Sequence, residues 1–352
     1  MNTQDARLGA QPNTPEEAPE DARPAAGGQA SPARRGWPAL RAALVVVVAL
    51  LLAGALALAL IRLDWSVVTV VLARRDGAQL GLLLGGAMLA SMAGLGFGFV
   101  AWHLVLLELG PPIGGVRAIR VFFVAFLSKY VPGKVPGLIL VTKVAKANGV
   151  GFARLMSAAA LSMSLVILSG LTIGLLAGVQ VLGAQAAWLA VAAALIVAVL
   201  VRPQLINRGA HLLMRLLRGK EPVRAASARG VRLAVATQSV SWVVTGLHLW
   251  LLAIAMGAAP ARSLALCVGA FTLATTVGLL SIVVPDGIGV REAILMAALT
   301  VVLPVPTAAV VAVASRLVST VSEVALGAAG LAVTELVRRR TAGAGRPGAE
   351  AT

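Results

Sequence analysis

The sequence predicts an all-α fold: a polytopic transmembrane helix bundle with two broken, re-entrant hairpins that form an inverted repeat. Three observations support this fold class. Long apolar blocks recur along the chain, Lys and Arg residues lie mostly between those blocks, and clusters of Pro and Gly interrupt two of the apolar regions. The first observation excludes a soluble domain, the second orients the chain in a bilayer, and the third indicates a site at membrane depth.

Apolar residues are too abundant and too clustered for a soluble protein. They make up 59% of the chain and charged residues make up 12%, whereas soluble domains are about half apolar and about a quarter charged. A helix needs about 20 apolar residues to cross a hydrocarbon core of about 30 Å. Blocks long enough to do so occupy residues 39–61, 80–107, 155–201, 233–256, 263–284 and 307–333.

The formal net charge of +16 indicates contact with lipid rather than with nucleic acid. Because the cations lie between the apolar blocks, membrane topology and anionic lipid head groups account for them. Cys267 is the single cysteine, so no intrachain disulfide is expected, and His103, His211 and His248 are far apart in the sequence. We therefore expect no metal site and no cofactor.

Composition divides the chain into three parts. Residues 1–36 are rich in Pro, Ala, Gly and acidic residues and predict a disordered tail. Residues 37–337 form the transmembrane domain, which includes a basic, amphipathic linker at 202–232, and residues 338–352 form a short C-terminal tail. The Lys and Arg bias predicts that both termini and the linker are cytoplasmic, in a cell membrane.

Six spans alternate in direction under this orientation, and two regions remain, 116–150 and 263–303. Each must begin and end on one side, the first on the cytoplasmic side and the second outside. The six spans are 39–61, 80–107, 155–177, 187–201, 233–256 and 307–333.

Both remaining regions are broken by Pro and Gly. Pro removes a backbone donor and Gly permits positive φ, so each helix ends at the break. Non-helical backbone is tolerated in a membrane only against protein or water. Two such breaks with opposite polarity are typical of an inverted repeat with a midplane site, although two surface loops would show the same residues. The break residues are Pro132, Gly133, Pro136, Gly137, Pro285, Gly287 and Gly289.

The two broken segments resemble motifs of the transmembrane-domain family of lysylphosphatidylglycerol synthases, also described as flippase-like membrane domains. One match runs from Ser128 to Gly137 and a second from Pro285 to Glu292; a third, weaker match is Ser315-Arg316 followed by Glu323. Asp286 departs from the Pro-Gly-Gly run that is common in the family.

This resemblance implies movement of a lipid, or of a lipid-linked glycan, between leaflets. The implied partners are membrane lipids, either an anionic phospholipid or a polyprenyl-phosphate glycan, and a separately encoded lipid- or glycan-synthesising enzyme. The full-length synthases carry a soluble aminoacyl-transferase domain after the membrane part, and no such domain follows here. We therefore expect no enzymatic activity. Because the sequence has no P-loop signature, transport would be passive or driven by an ion gradient.

Charged residues near the breaks are the candidate site. A charge at a helix centre costs about 2.5–3.5 kcal/mol on insertion scales, so its retention indicates a role. We expect phosphate contacts from three cations, because cationic side chains, and Arg above all, bind phosphate; these are Lys134, Arg291 and Arg316. Three carboxylates would balance them or accept protons, namely Asp286, Glu292 and Glu323.

A purely structural alternative stays open for the same charges. Arg291 with Glu323, or Arg316 with Glu292, would then pair to hold the bundle together. Lys129, before the first break, is expected to extend its ammonium to the cytoplasmic surface.

Two other functions stay open. One is a non-transporting accessory subunit of cell-envelope lipid or glycan assembly. The other is a polyprenyl-phosphate-dependent glycosyltransferase, which needs an acidic base or metal ligand in an extracytoplasmic loop. Asp64 and Asp76 are the acidic residues of the first such loop, and Arg62, Arg74 and Arg75 crowd them.

The charge bias makes a prediction about topology. Reporter proteins fused at about residue 182 and at about residue 260 should report an extracytoplasmic position, because few cations flank these connections. Phosphatase and fluorescent-protein fusions measure this directly. A cytoplasmic signal at either position would contradict the span count and the inverted repeat.

Overall fold

The computed structural model describes residues 76–130, 134–182, 226–280 and 289–344, with a few isolated positions outside these ranges. The chain in these ranges forms eight α-helices and no strand. The helices are α1 (Gly77–Glu108), α2 (Gly115–Leu127), α3 (Lys134–Ala147), α4 (Phe152–Leu182), α5 (Ala228–Ala255), α6 (Pro260–Leu280), α7 (Val290–Leu299) and α8 (Val305–Ala344). A single 3₁₀ turn, Ser128–Tyr130, follows α2. The predicted all-α class is confirmed for the described part of the chain.

Five of the described helices are long and apolar enough to cross a membrane: α1, α4, α5, α6 and α8. Four of these coincide with predicted spans, 80–107, 155–177, 233–256 and 307–333. α8 has 40 residues and continues to Ala344, so the predicted C-terminal tail begins as helix.

Several predicted segments cannot be compared with the structure. Outside the described residues, apart from isolated positions, lie the spans 39–61 and 187–201, the tail 1–36 and most of the basic linker 202–232.

The C-terminus of α1 and the N-termini of α4 and α5 meet at one end of the bundle, which we call the Glu108 end. The Glu108 carboxylate accepts a hydrogen bond of 2.6 Å from the Ser227 backbone N–H at the start of α5. The buried Arg154 guanidinium, in the first turn of α4, donates two hydrogen bonds to the Leu106 carbonyl, from Nε at 3.2 Å and from Nη2 at 2.6 Å. Backbone groups at helix ends lack intrahelical partners, and these contacts satisfy two of them, the Ser227 N–H and the Leu106 carbonyl; the helix dipole also favours a carboxylate at the start of α5.

The C-terminus of α5 and the start of α6 lie at the opposite end, which we call the Ala255 end. Trp250 in the last turns of α5 donates from Nε1 to the Pro260 carbonyl at 2.9 Å. Leu303, between α7 and α8, belongs to the same buried cluster as Ala258, just after α5. α7 therefore ends, and α8 begins, at the Ala255 end.

A first hairpin, made of α2, the 3₁₀ turn and α3, begins and finishes at the Glu108 end. α2 follows α1 after a short connection, and α3 ends just before α4. α2 runs antiparallel to α8, because Phe123 contacts Gly330 and Leu127, one turn later, contacts Gly327. The hairpin thus rises along α8 and returns, within the predicted region 116–150.

A second hairpin, made of α6 and α7, starts and finishes at the Ala255 end. Its arms are unequal: α6 has 21 residues, and α7 has only 10, which extend about 15 Å. α7 begins beside the middle of α6, where the Arg291 guanidinium lies 4.9 Å from the centre of the Phe271 ring. The described part of the predicted region 263–303 therefore contains one full-length helix and one helix of about half that length.

The described helices form two halves of opposite direction. α1, the first hairpin and α4 make one half, and α5, the second hairpin and α8 make the other. α1 runs towards the Glu108 end and α5 runs away from it, so the hairpins enter from opposite ends. This arrangement is that of an inverted-topology repeat.

α1 and α5 approach closely through small residues. The Ser241 hydroxyl donates to the Gly94 carbonyl at 2.7 Å, and a Cβ atom on Gly94 would lie 2.7 Å from the Thr245 backbone nitrogen. Small residues at such crossings permit the close packing that holds membrane helices together. The position of Gly94 therefore has no room for any side chain.

We predict that Gly94→Ala destabilises the protein even though Ala is the better helix former. The added methyl group forces α1 and α5 apart, and overpacking of this kind costs about 1–3 kcal/mol. Thermal unfolding in detergent measures the effect. Gly96→Ala is the matched control in the same helix, because space around Gly96 is open, and its unfolding midpoint should be unchanged or slightly higher. Equal midpoints for the two variants would contradict the close crossing.

Candidate functional site

The first hairpin reaches the middle of α8 through Lys129 and Tyr130. The Lys129 ammonium lies 2.6 Å from Oε2 of Glu323, and the Tyr130 hydroxyl donates a hydrogen bond to the same oxygen. The ammonium also lies 4.4 Å from the centre of the Phe126 ring and 5.0 Å from that of the Tyr130 ring. Charge, hydrogen bonding and cation–π attraction together stabilise this contact.

The second hairpin reaches α8 through Glu292. Its Oε1 lies 3.9 Å from Nη1 of Arg316, while its Oε2 accepts a hydrogen bond of 2.6 Å from the Gly289 backbone N–H. Gly289 has a φ of 86°, which favours glycine, and Glu292 closes the first turn of α7 in the manner of a capping box. The Arg316 contact is longer than the about 2.8 Å of a charge-assisted hydrogen bond, so this pair is the looser of the two.

Arg291 lies on the buried side of the same turn of α7. Its side chain is 8% exposed, and its Nη2 donates to the Ser319 hydroxyl at 3.3 Å. The Ser319 hydroxyl in turn donates to the Ser315 carbonyl at 2.7 Å. The guanidinium lies over the face of Phe271, which favours a cation.

Both hairpins therefore place ionised residues against one helix. Arg316 and Glu323 are seven residues apart on α8, which is about 10 Å along the axis and close to the same face. They flank the centre of the predicted span 307–333, and their side chains are 21% and 20% exposed. We call the five residues of these contacts the α8 cluster; they are Lys129, Arg291, Glu292, Arg316 and Glu323.

Four of the six predicted site residues belong to the α8 cluster: Arg291, Glu292, Arg316 and Glu323. Lys134 begins α3, but its side chain and the whole of Asp286 lie outside what the structure describes. The predicted break residues Pro132, Gly133, Pro285 and Gly287 also lie outside.

Two predicted break residues lie on the described first hairpin. Pro136 is exposed in the first turn of α3. Gly137 is buried, and a Cβ atom there would lie 3.3 Å from the Ser128 carbonyl oxygen. The start of α3 therefore packs directly on the 3₁₀ turn.

The contacts differ from two of the expectations for the charges. Of the two structural pairs considered, Arg316 with Glu292 is present, whereas Glu323 contacts Lys129 and Tyr130. Lys129 was expected at the cytoplasmic surface, and this expectation is wrong, because a carboxylate and two aromatic rings hold its ammonium against α8.

Sequence reasoning also missed the polar and aromatic neighbours of the cluster. Tyr130 is the single tyrosine of the chain and lies inside the first motif, so the sequence offered a reason to include it in the site. It offered no such reason for Phe271 and Ser319, because they are ordinary residues of apolar helices. The described residues contain no group of three or more His, Cys, Asp and Glu side chains that could hold a metal ion.

We predict that Lys129 and Glu323 stabilise the protein jointly. In a double-mutant cycle of Lys129→Gln and Glu323→Gln, the coupling free energy should be about 0.5–2 kcal/mol, measured by thermal unfolding in detergent. The matched control is the pair of Arg338 with Glu335 near the end of α8, which is exposed and should show a weaker coupling of at most about 0.5 kcal/mol. Absence of coupling between Lys129 and Glu323 would refute the contact of the first hairpin with α8.

Comparison with known proteins bears on the chain as a whole. A comparison with curated proteins finds no match. The family model for the lysylphosphatidylglycerol synthase transmembrane region matches residues 42–327, a range that includes both hairpins and every residue of the α8 cluster. Together with five helices able to cross a membrane, the match identifies a multi-pass membrane protein. The chain belongs to the lysylphosphatidylglycerol synthase transmembrane region family.

Proposed function

We propose that this protein moves a phosphate-bearing lipid, either an anionic phospholipid or a polyprenyl-phosphate glycan, between the two leaflets. One observation carries the proposal: two hairpins that enter from opposite ends bring their charged residues to neighbouring positions on α8. Inverted repeats with interrupted helices commonly form midplane sites for transported substrates. The family is consistent with this function.

Electrostatics explains how such a site is kept in a membrane. Isolated charges in hydrocarbon are costly, so intramembrane charges pair with each other or with polar groups. In the α8 cluster each carboxylate contacts a cation, Glu323 with Lys129 and Glu292 with Arg316. These contacts stabilise the empty site until a substrate replaces one of them.

Arg316 is the best phosphate ligand of the cluster. Its contact with Glu292 is long, at 3.9 Å, and its side chain is 21% exposed. A guanidinium binds two phosphate oxygens at once, which suits the Arg316 side chain to a lipid phosphate. Glu292 retains its hydrogen bond to the Gly289 N–H when Arg316 turns to the phosphate.

The hairpins would give the site access from both leaflets. The first hairpin separates the cluster from the Glu108 end and the second separates it from the Ala255 end. We assign the Glu108 end to the cytoplasm, since Arg117, Lys146, Arg229 and the Arg338–Arg340 run lie towards it and cations favour that side. Movement of one hairpin at a time would expose the cluster to one leaflet at a time.

We predict that reconstituted protein accelerates lipid exchange between leaflets and that Arg316→Leu abolishes the acceleration. The assay uses liposomes with labelled phospholipids or polyprenyl-phosphate glycans and a leaflet-specific quencher. Arg316→Lys should retain part of the rate, because Lys keeps the charge but not the bidentate geometry. Arg338→Leu is the control, because Arg338 is an exposed arginine of the same helix that pairs with Glu335; its rate should equal that of the wild type.

The double variant Arg316→Leu with Glu292→Gln separates transport from folding, because a glutamine removes the negative charge and keeps an oxygen acceptor for the Gly289 N–H. Removal of both charges relieves the unpaired carboxylate, which otherwise destabilises the fold. The thermal midpoint should recover in this variant while transport stays lost. Recovery of transport would remove Arg316 from the site, and wild-type liposomes that match protein-free liposomes for every lipid would favour the accessory-subunit function.

A further inference from the structure

His248 is fully buried beside the α8 cluster and has no part in the function proposed above. It lies on α5, and no part of its side chain is exposed. Its Nδ1 is within hydrogen-bond reach of the Thr245 carbonyl, and its Nε2 lies 2.8 Å from the Ser315 hydroxyl. A carbonyl oxygen only accepts, so Nδ1 carries a proton, and in the neutral ring Nε2 then accepts from the Ser315 hydroxyl.

Two contacts connect this histidine to Arg291. Along α8, the Ser315 carbonyl accepts from the Ser319 hydroxyl, which in turn accepts from the Arg291 guanidinium. Across the core, the His248 ring meets the Phe271 ring edge to face at 4.7 Å, and Phe271 lies beneath the same guanidinium. His248 therefore contacts Ser315, whose carbonyl anchors the Ser319 hydroxyl, and Phe271, on which the Arg291 guanidinium rests.

We propose that His248 is a positioning residue that holds Arg291 as a second phosphate ligand beside Arg316. This inference rests on the proposed function. Ser315, which His248 holds, directly precedes Arg316, so one histidine fixes the part of α8 from which Arg316 projects and the support of Arg291. Hydrogen bonds and ring contacts in a buried site restrict the side chains that make them, and a site binds well only when such supporting groups lock its ligands.

The neutral ring suits this role. It orients its neighbours through one accepted and one donated hydrogen bond without adding a third positive charge next to Arg291 and Arg316. An aliphatic residue in its place would fill the space but leave the Ser315 hydroxyl without its acceptor. A glutamine would supply an amide oxygen as acceptor, which makes it the conservative variant.

The test measures initial rates of leaflet exchange against the mole fraction of fluorescent phosphatidylglycerol in liposomes. His248→Leu should raise the half-saturating fraction by about threefold to tenfold, as expected from one lost hydrogen bond, with a smaller change in the maximal rate. His248→Gln should stay close to wild type. Ser315→Ala removes the same contact from α8 and should match His248→Leu, and the double variant should be no worse than either single one.

His103→Leu is the matched control. His103 is a histidine of α1 that stacks on Phe99 outside this network, so its half-saturating fraction should equal that of the wild type. Equal loss in His248→Leu and His248→Gln, or no loss in His248→Leu, would overturn the inference. If His248→Leu does not fold, Ser315→Ala decides in the same way. A wild-type protein that moves no lipid would overturn the proposed function and this inference together, whereas an active wild type with unaffected variants overturns only the inference.

Discussion

The structure depends on one constraint: ionised side chains at membrane depth must find their partners within the protein, because hydrocarbon offers none. α8 meets this need for both hairpins. It supplies Glu323 to the cation of the first and Arg316 to the carboxylate of the second. The two hairpins, which enter from opposite ends, thereby meet at a single helix.

The two ion pairs differ in a way that matters for the proposed transport. The Lys129–Glu323 contact is short and reinforced by Tyr130 and Phe126, whereas the Arg316–Glu292 contact is long. The Arg291 guanidinium packs on the Phe271 ring and donates a hydrogen bond to the Ser319 hydroxyl. The contact between Lys129 and Glu323 is therefore the tighter of these two ion pairs.

Among the described residues, the sequence was sufficient for four of the predicted spans and for the opposite entry of the two hairpins, because hydropathy and Pro and Gly act locally. It also indicated Arg291, Glu292, Arg316 and Glu323, which the structure brings together on or against α8, since charges in apolar blocks stand out. It could not assign their partners. Lys129 was misplaced because the depth of an ammonium depends on which carboxylate a distant helix presents, and nothing local to Lys129 encodes Glu323.

The contacts at the Glu108 end have a mechanical consequence. Glu108 joins α1 to the first turn of α5, and Arg154 joins α4 to the last turn of α1, so three helix ends are tied together by charged groups. These contacts fix the three helix ends relative to one another. The helices cannot slide past one another at this end without breaking a contact to a helix terminus. The first hairpin and α8 also reach this end and take no part in these contacts, so in the proposed transport an opening towards this leaflet would lie between them and the three joined helices.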